Sequence, residues 1–331
     1  GCGKSTLLKI LAGRLERKGG TQVMGSLVKM GYYSQHQTEL LNSSGTVLGE
    51  IRRLGLNLRT IYIGGGTPTI LSAEQLRVLL SAIAENTDVS RLEEYTLESG
   101  RADTITAEKF AVAKEYGVNR VCVNPQSLCD DVLRQIGRSH TAEDFFRAFD
   151  VARESGIPYI NTDLIVGLPG DSFRTFSKTF DQIVSLRPEN ITVHTFCVKK
   201  ASEILRQDAD VYSLHGGDAG KCVDYTQLQA QQEGYKPYYM YRQKNTIDNQ
   251  ENVGYARAGK ESYYNMLIMD ESQSIFGAGC AASTKIVEPD CGRITRIHNY
   301  KFPYEYIRQF DQLMEKKQQV FEIYQRMAAA E

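Results

Sequence analysis

Arg59-Thr60-Ile61-Tyr62-Ile63-Gly64-Gly65-Gly66-Thr67-Pro68-Thr69 is the stretch that decides the fold. A β-branched and aromatic run ends at three consecutive glycines. Thr-Pro then leads to Ser72-Ala73-Glu74-Gln75, where Ser and Gln three residues apart form a capping box that opens a helix. The stretch therefore reads as strand, tight turn and helix. Three adjacent residues without Cβ also let a ligand lie against the main chain at the strand end, where side chains ordinarily shield it. An ordinary β-to-α turn explains the same glycines, so the choice rests on what surrounds them.

Downstream, strands and helices alternate. The strand at 60–63 is followed by a helix over 73–84, a strand over 94–97, and a helix capped by Thr106 and ended by Gly117. A strand over 119–123, a helix from Thr141 to Ser155 closed by Gly156, a strand over 160–166, a helix over 172–186 and a strand over 191–196 complete the pattern. Five strands joined by helical crossovers of this length predict a parallel sheet, half or more of a β/α barrel. Near-continuous apolar runs such as Leu164-Ile165-Val166 predict burial on both faces. The unusual polar residues recur at one end of it: Gly65, Gly66 and Thr67 after the first strand, Glu98 after the second, Pro125-Gln126 after the third, Asp163 within the fourth, Cys197 at the end of the fifth. The C-terminal strand ends form the active face of β/α barrels. Each residue taken alone has a structural explanation as a loop acid, a turn amide or a cap; five in one register predict a ligand site.

Composition narrows the class. The chain has 331 residues, 41% of them hydrophobic and 24% charged, with a formal charge of -1, which suits one large or two medium soluble domains and gives no overall pull toward nucleic acid or anionic membrane. No apolar run approaches the ~20 residues of a membrane span. A cytoplasmic protein is the expectation, with no membrane or nucleic-acid partner. The seven cysteines include no CxxC pair and are odd in number, so no disulfide frame, zinc knuckle or other metal site is expected.

The first residues carry a different signal. Gly1-Cys2-Gly3-Lys4-Ser5-Thr6, before a helical run from Leu7 to Gly13, is the back half of a phosphate-binding loop, in which backbone N–H groups cradle phosphates and the hydroxyl meets magnesium. Gly31-Tyr32-Tyr33-Ser34-Gln35-His36-Gln37 resembles the glutamine loop of ABC-type ATPases. Residues 1–55 resemble a cassette fragment of the ABC-F class, soluble ATPases that act on the ribosome. That resemblance implies nucleotide contacts from Gly3, Lys4, Ser5, Thr6 and Gln35 and possible ATP binding. No signature motif or Asp-Glu strand follows, so a weak or silent phosphate loop is expected.

From about residue 56 the resemblance changes. The Gly64-Gly65-Gly66-Thr67-Pro68-Thr69 stretch, Tyr95-Thr96-Leu97-Glu98, Asn124-Pro125-Gln126-Ser127-Leu128, Ile136-Gly137-Arg138-Ser139-His140 and Thr162-Asp163-Leu164-Ile165-Val166-Gly167-Leu168-Pro169-Gly170 together resemble the oxygen-independent coproporphyrinogen III oxidase family of radical S-adenosylmethionine enzymes. The coproporphyrinogen dehydrogenase-like branch is nearest, through Asn124-Pro125-Gln126 and Tyr238-Tyr239-Met240-Tyr241-Arg242-Gln243-Lys244-Asn245. The resemblance implies that Gly65 and Gly66 hold the amino group of S-adenosylmethionine and Glu98 its ribose. It implies that Thr67, Gln126, Arg138, Asp163 and Cys197 line a second S-adenosylmethionine pocket. It also implies a 4Fe-4S cluster, a tetrapyrrole substrate, and an electron donor such as flavodoxin or ferredoxin. Carbonyls suit an ammonium and a carboxylate suits paired hydroxyls. Arg242, Lys244 and Arg293 are candidates for substrate propionates.

One family feature is missing from the sequence. The CxxxCxxC loop whose thiolates hold the cluster belongs upstream of the three glycines, where only Cys2 occurs. The expected architecture is therefore α/β: an ATPase-like fragment over 1–55, a partial radical S-adenosylmethionine barrel lacking its first β/α unit over 56–200, and an α+β substrate or accessory region over 201–331. The resemblance implies oxidative decarboxylation of coproporphyrinogen III in haem biosynthesis as the parent function. The chain as written is expected to be inactive in it, and a non-catalytic tetrapyrrole binder is the alternative.

Overall fold

The computed structural model describes residues 58–197, 218–288 and 291–330. The nucleotide contacts expected of Gly3, Lys4, Ser5, Thr6 and Gln35 lie outside the described residues. The described residues fall into two compact units, 58–273 and 274–330.

In the first unit β1 (Thr60–Ile63), β2 (Glu94–Glu98), β3 (Arg120–Cys122), β4 (Tyr159–Val166) and β5 (Asn190–Thr195) pair in order, all parallel. Their crossovers are α1 (Ala73–Asn86), α2 (Ala107–Glu115), α3 (Asp130–Gln135) with α4 (Ala142–Glu154), and α5 (Phe173–Ser185). Ser72, Thr141 and Ser172 each complete a capping box, so three of these helices start where local chemistry dictates. Gly117 and Gly156 follow two of them with φ of +85° and +69°, the left-handed turn that glycine adopts at least cost. After α6 (Asp218–Gln232), β6 (Tyr235–Tyr241) and β7 (Asn252–Arg257) add two antiparallel strands to the same sheet, β7 against β5 and β6 outside it. The sheet thus extends beyond residue 200 in sequence, and α7 (Tyr263–Asp270) packs against β1 and β6.

The two faces of the sheet differ. Ile61, Ile63, Tyr95, Leu97, Val121, Ile160, Leu164, Val166, Ile191 and Val193 join Phe110, Phe145, Phe176, Phe180 and Ile183 from the helices in one core. On α5 the spacing Phe176, Phe180, Ile183, Val184 puts the whole apolar stripe on the sheet side, and each such side chain contributes roughly 1.5–3 kcal/mol by burial. The register places the alternate residues on the opposite face: Glu94, Thr96 and Glu98, then Arg120 and Cys122, then Asn161 and Asp163, then Asn190, Thr192 and His194. Glu94, Thr96, Arg120, Asn161, Asn190 and Thr192 on the inner face are buried while Glu98, Asp163 and His194 are half-buried, so that face is mainly polar and partly open, unlike the doubly buried apolar strand that Leu164-Ile165-Val166 predicts.

Residues 274–330 carry a hairpin, β8 (Ser283–Glu288) and β9 (Arg293–His298), followed by α8 (Pro303–Arg308) and α9 (Phe310–Ala330). Ile286 and Ile297 from the hairpin meet Val320 and Ile323 from α9. Lys317 of α9, itself buried, donates to the Gly277 carbonyl at 2.7 Å and to Thr284 Oγ1 at 2.5 Å.

Candidate active site at the strand ends

The turn after β1 is built for exposure of its backbone. Thr69 is buried, donates to the Ser99 carbonyl at 2.8 Å, and has its own carbonyl bound by Lys109 Nζ at 2.6 Å, which fixes the chain just past the glycines. Gly65 has φ +88°, and a Cβ placed on Gly65 or Gly66 would meet nothing within 4 Å. These two residues face open space, the cradle an adenosyl ligand's amino group needs. Gly64 does not: a Cβ there would stand 2.4 Å from Tyr62 Cε1 and 2.5 Å from Glu98 Oε2.

Glu98 ends β2 beside this cradle. Burial pushes its carboxyl above the usual range and the nearby charge of Asp163 adds to that, while the neighbouring Tyr62 hydroxyl and Gly65 N–H pull the other way. A half-buried carboxylate at a strand end can accept hydrogen bonds from paired hydroxyls, as a ribose diol offers. Tyr62 is pushed up by burial and by its acidic neighbours, so it remains a phenol donor.

Asp163 faces the interior from β4. Its Oδ2 accepts from Asn124 Nδ2 at 2.9 Å, its own N–H donates to Asn124 Oδ1 at 3.2 Å, and His194 Nε2 of β5 stands 3.8 Å away. His194 Nδ1 lies 3.1 Å from the Tyr241 hydroxyl. Tyr239 reaches Thr192 at 3.2 Å over Gly254, where a Cβ would come within 1.9 Å of its ring. Gln126 bridges to Leu164 with φ +65°, a left-handed backbone unusual for a side-chain residue, held by its N–H to the Asp163 carbonyl at 3.1 Å and its carbonyl to Ile165 N–H at 3.0 Å.

The structure thus brings Gly65, Glu98, Gln126 and Asp163 together. Thr67 adjoins them as the cap of a short turn. Arg138 belongs to a separate cluster: its guanidinium is lowered by burial and then by the charge of Arg101, with Asp103 opposing, and Ser139 bridges Arg101 and Asp103. Cys197 donates its thiol to the Lys244 carbonyl at 3.1 Å and pairs with Thr246. Arg242 is engaged with Glu251. Sequence reading passed over Tyr62, Asn124 and His194. Two-residue alternation within a strand is the one sequence signal for Tyr62 and His194; the register that sets Tyr62 level with Thr96 and His194 level with Ile165 comes from the structure.

The fit to the expected cofactors divides. Open Gly65–Gly66 backbone beside the half-buried Glu98 carboxylate suits S-adenosylmethionine. Among the described residues no group of three or more cysteine, histidine or acidic side chains is placed to hold a metal, so these residues do not themselves ligate a 4Fe-4S cluster. Cys122 and Cys222 are buried, and both thiols are pushed up by burial, away from the thiolate a cluster requires. Among the described residues no helix is long and apolar enough to cross a membrane.

Comparison with known proteins agrees with this fold. Residues 36–183 match the radical S-adenosylmethionine superfamily model. The chain is 39% identical over 281 residues to the oxygen-independent coproporphyrinogen-III oxidase-like protein HemZ of Bacillus subtilis, covering 83% of this chain and 56% of that protein. It is 33% identical over 250 residues to the haem chaperone HemW of the same organism, covering 74% of this chain and 63% of the relative. Among solved structures, coproporphyrinogen III oxidase HemN of Escherichia coli superposes with a TM-score of 0.58 at 21% identity, over 79% of this chain and 60% of that one, and supports the fold. The chain spans a little over half the length of these relatives. They are an oxidase-like protein, a haem chaperone and a radical S-adenosylmethionine enzyme, so the ATP-binding expectation for the N-terminal residues gains nothing from them.

Proposed function

Because the chain belongs to the coproporphyrinogen-oxidase-like family of the radical S-adenosylmethionine superfamily, we propose that its barrel holds S-adenosylmethionine for oxidative decarboxylation of tetrapyrrole propionates in haem synthesis. The observation that carries this reading is the half-buried Glu98 carboxylate at the end of β2, close to Gly64 and beside an open Gly65–Gly66 backbone. Gly65 and Gly66 carbonyls would take the ammonium of the ligand, and Glu98 its ribose hydroxyls. Thr67, Gln126 and Asp163 would line the inner side, where Gln126 turns through its left-handed backbone to follow β4. Arg138, desolvated beside Arg101, offers fork geometry for a carboxylate. The cluster that starts the family's chemistry would have to be ligated by residues other than those described.

Calorimetric titration with S-adenosylmethionine tests the reading. Saturable one-to-one binding that Glu98→Ala weakens at least tenfold supports it; binding indifferent to Glu98 refutes it. A second reading, a non-catalytic tetrapyrrole carrier, is favoured by the interior row of His194, Tyr239 and Tyr241 and by the HemW relative. Absorbance titration with haem separates the two: a Soret shift abolished by His194→Ala, without S-adenosylmethionine binding, selects the carrier.

A further inference from the structure

Strand β6 breaks its alternation once. The register shifts between Pro237 and Tyr239, so that Tyr238 and Tyr239, neighbours in sequence, both turn to the inner face. With Tyr241 they reach across β7 to successive inner-face residues of β5. Tyr238 donates to Asn190 Oδ1 at 2.9 Å, the Tyr239 hydroxyl lies 3.2 Å from Thr192 Oγ1, and the Tyr241 hydroxyl lies 3.1 Å from His194 Nδ1. Gly254 of β7 pairs with Thr192 on one side and Tyr239 on the other, and a Cβ there would fall among the ring atoms Cε1, Cδ1 and Cζ of Tyr239. Glycine thus lets that ring rest on the main chain of β7. The Tyr241 ring is 4° from parallel to it with centroids 6.4 Å apart, close to the ~6.6 Å between alternate residues of a strand, so the two rings lie side by side. Tyr238 stands at 71° to Tyr239 as a wall, with centroids 4.8 Å apart. Both platform rings are half-buried and tied at their hydroxyls, so a ligand meets aromatic faces that are already ordered.

We propose that Tyr239 and Tyr241, laid across β7 by the space at Gly254, form a stacking platform for a planar, fully conjugated tetrapyrrole. The inference rests on the tetrapyrrole reading above and adds that this platform selects the face of the ring, where a flat π system makes full contact and a puckered one does not.

The test compares coproporphyrin III, planar and metal-free, with coproporphyrinogen III, which carries the same carboxylates on a ring puckered by its saturated bridges, in anaerobic calorimetric titrations of the whole chain. The wild type is expected to bind the planar ring about tenfold more tightly. Tyr239→Leu is expected to weaken the planar ligand about tenfold, the scale of one stacked aromatic pair, and to leave the puckered one within about twofold. Gly254→Ala, which lifts the same ring off β7, should reproduce the selective loss and gives a second reading should Tyr239→Leu fold poorly. A wild type that binds both rings equally, or variants that weaken both alike or neither, overturns the platform and leaves the tetrapyrrole reading standing. A wild type that binds neither overturns the tetrapyrrole reading and this inference with it.

Discussion

Arg120→Met should be among the most damaging single substitutions in the barrel, because it strands a charge. Arg120 and Glu94 are each 2% exposed, with Nε 3.0 Å from Oε2. Arg120 also donates to Asn161 Oδ1 at 2.7 Å and to the carbonyls of Lys260 and Glu261 at 3.1 and 3.0 Å, and it lies 4.8 Å over the Tyr159 ring. Glu94 binds Ser262, Tyr263 and Thr96 in addition. Removing either partner leaves an uncompensated charge in a water-free layer, at about 3–5 kcal/mol, whereas losing both leaves none. Arg120→Met and Glu94→Gln are thus each expected to cost about 3–5 kcal/mol and the double variant well under their sum of about 6–10 kcal/mol. Urea unfolding, with hydrogen exchange at the α7 amides as the local readout, measures this. A single variant costing under about 1 kcal/mol, or a strictly additive double, would refute the reasoning.

The glycine turn gives a contrasting pair. Gly64→Ala, with its Cβ 2.4 Å from the Tyr62 ring, should lower the melting midpoint by an amount equivalent to about 1–3 kcal/mol of overpacking, whereas Gly66→Ala, whose Cβ meets nothing within 4 Å, should stay within about 0.5 kcal/mol. Glu98 is raised above its ordinary 4.5 by burial, so the fold favours its protonated form. The contribution of that preference is complete below pH 4.5 and is lost as pH rises through the folded value; Glu98→Gln should therefore raise the melting temperature at neutral pH, with the gain vanishing near pH 4 in a pH-resolved melt. Asp144 is held at about 2, first by the Thr141 N–H and hydroxyl, so its stabilisation is present above its ordinary 3.8 and lost as pH falls toward 2. Asp144→Ala should flatten that part of the acid-denaturation curve.

How much of this was legible depended on how local the cause is. The strand–turn–helix at Thr60–Asn86 and the helices opened by Thr141 and Ser172 follow from residues three apart, and the structure shows them nearly where the sequence places them. The short helix Asp130–Gln135 was missed, since six residues carry too little periodicity. Strands β6 and β7 were missed because Pro237 and dense tyrosines disguise an edge strand; Pro237 sits where the register shifts, on the outermost strand, where no ladder bond is forfeited. At the site, Glu98 and Asp163 could be read from their position at strand ends. Tyr62 and His194 could not, because their roles depend on register between strands. Nor could the left-handed backbone of Gln126, which long-range bonds to β4 impose. The Glu94–Arg120 pair, 26 positions apart in sequence, is invisible to any local pattern.

The most direct measurement is hydrogen exchange of the chain with and without saturating S-adenosylmethionine, resolved at the level of short peptides. Slowed exchange confined to peptides covering Ile63–Thr67 and Leu97–Gly100 is the expected result. Unchanged exchange there, or protection confined to residues 274–330, would contradict the assignment of the strand-end cradle as the ligand site.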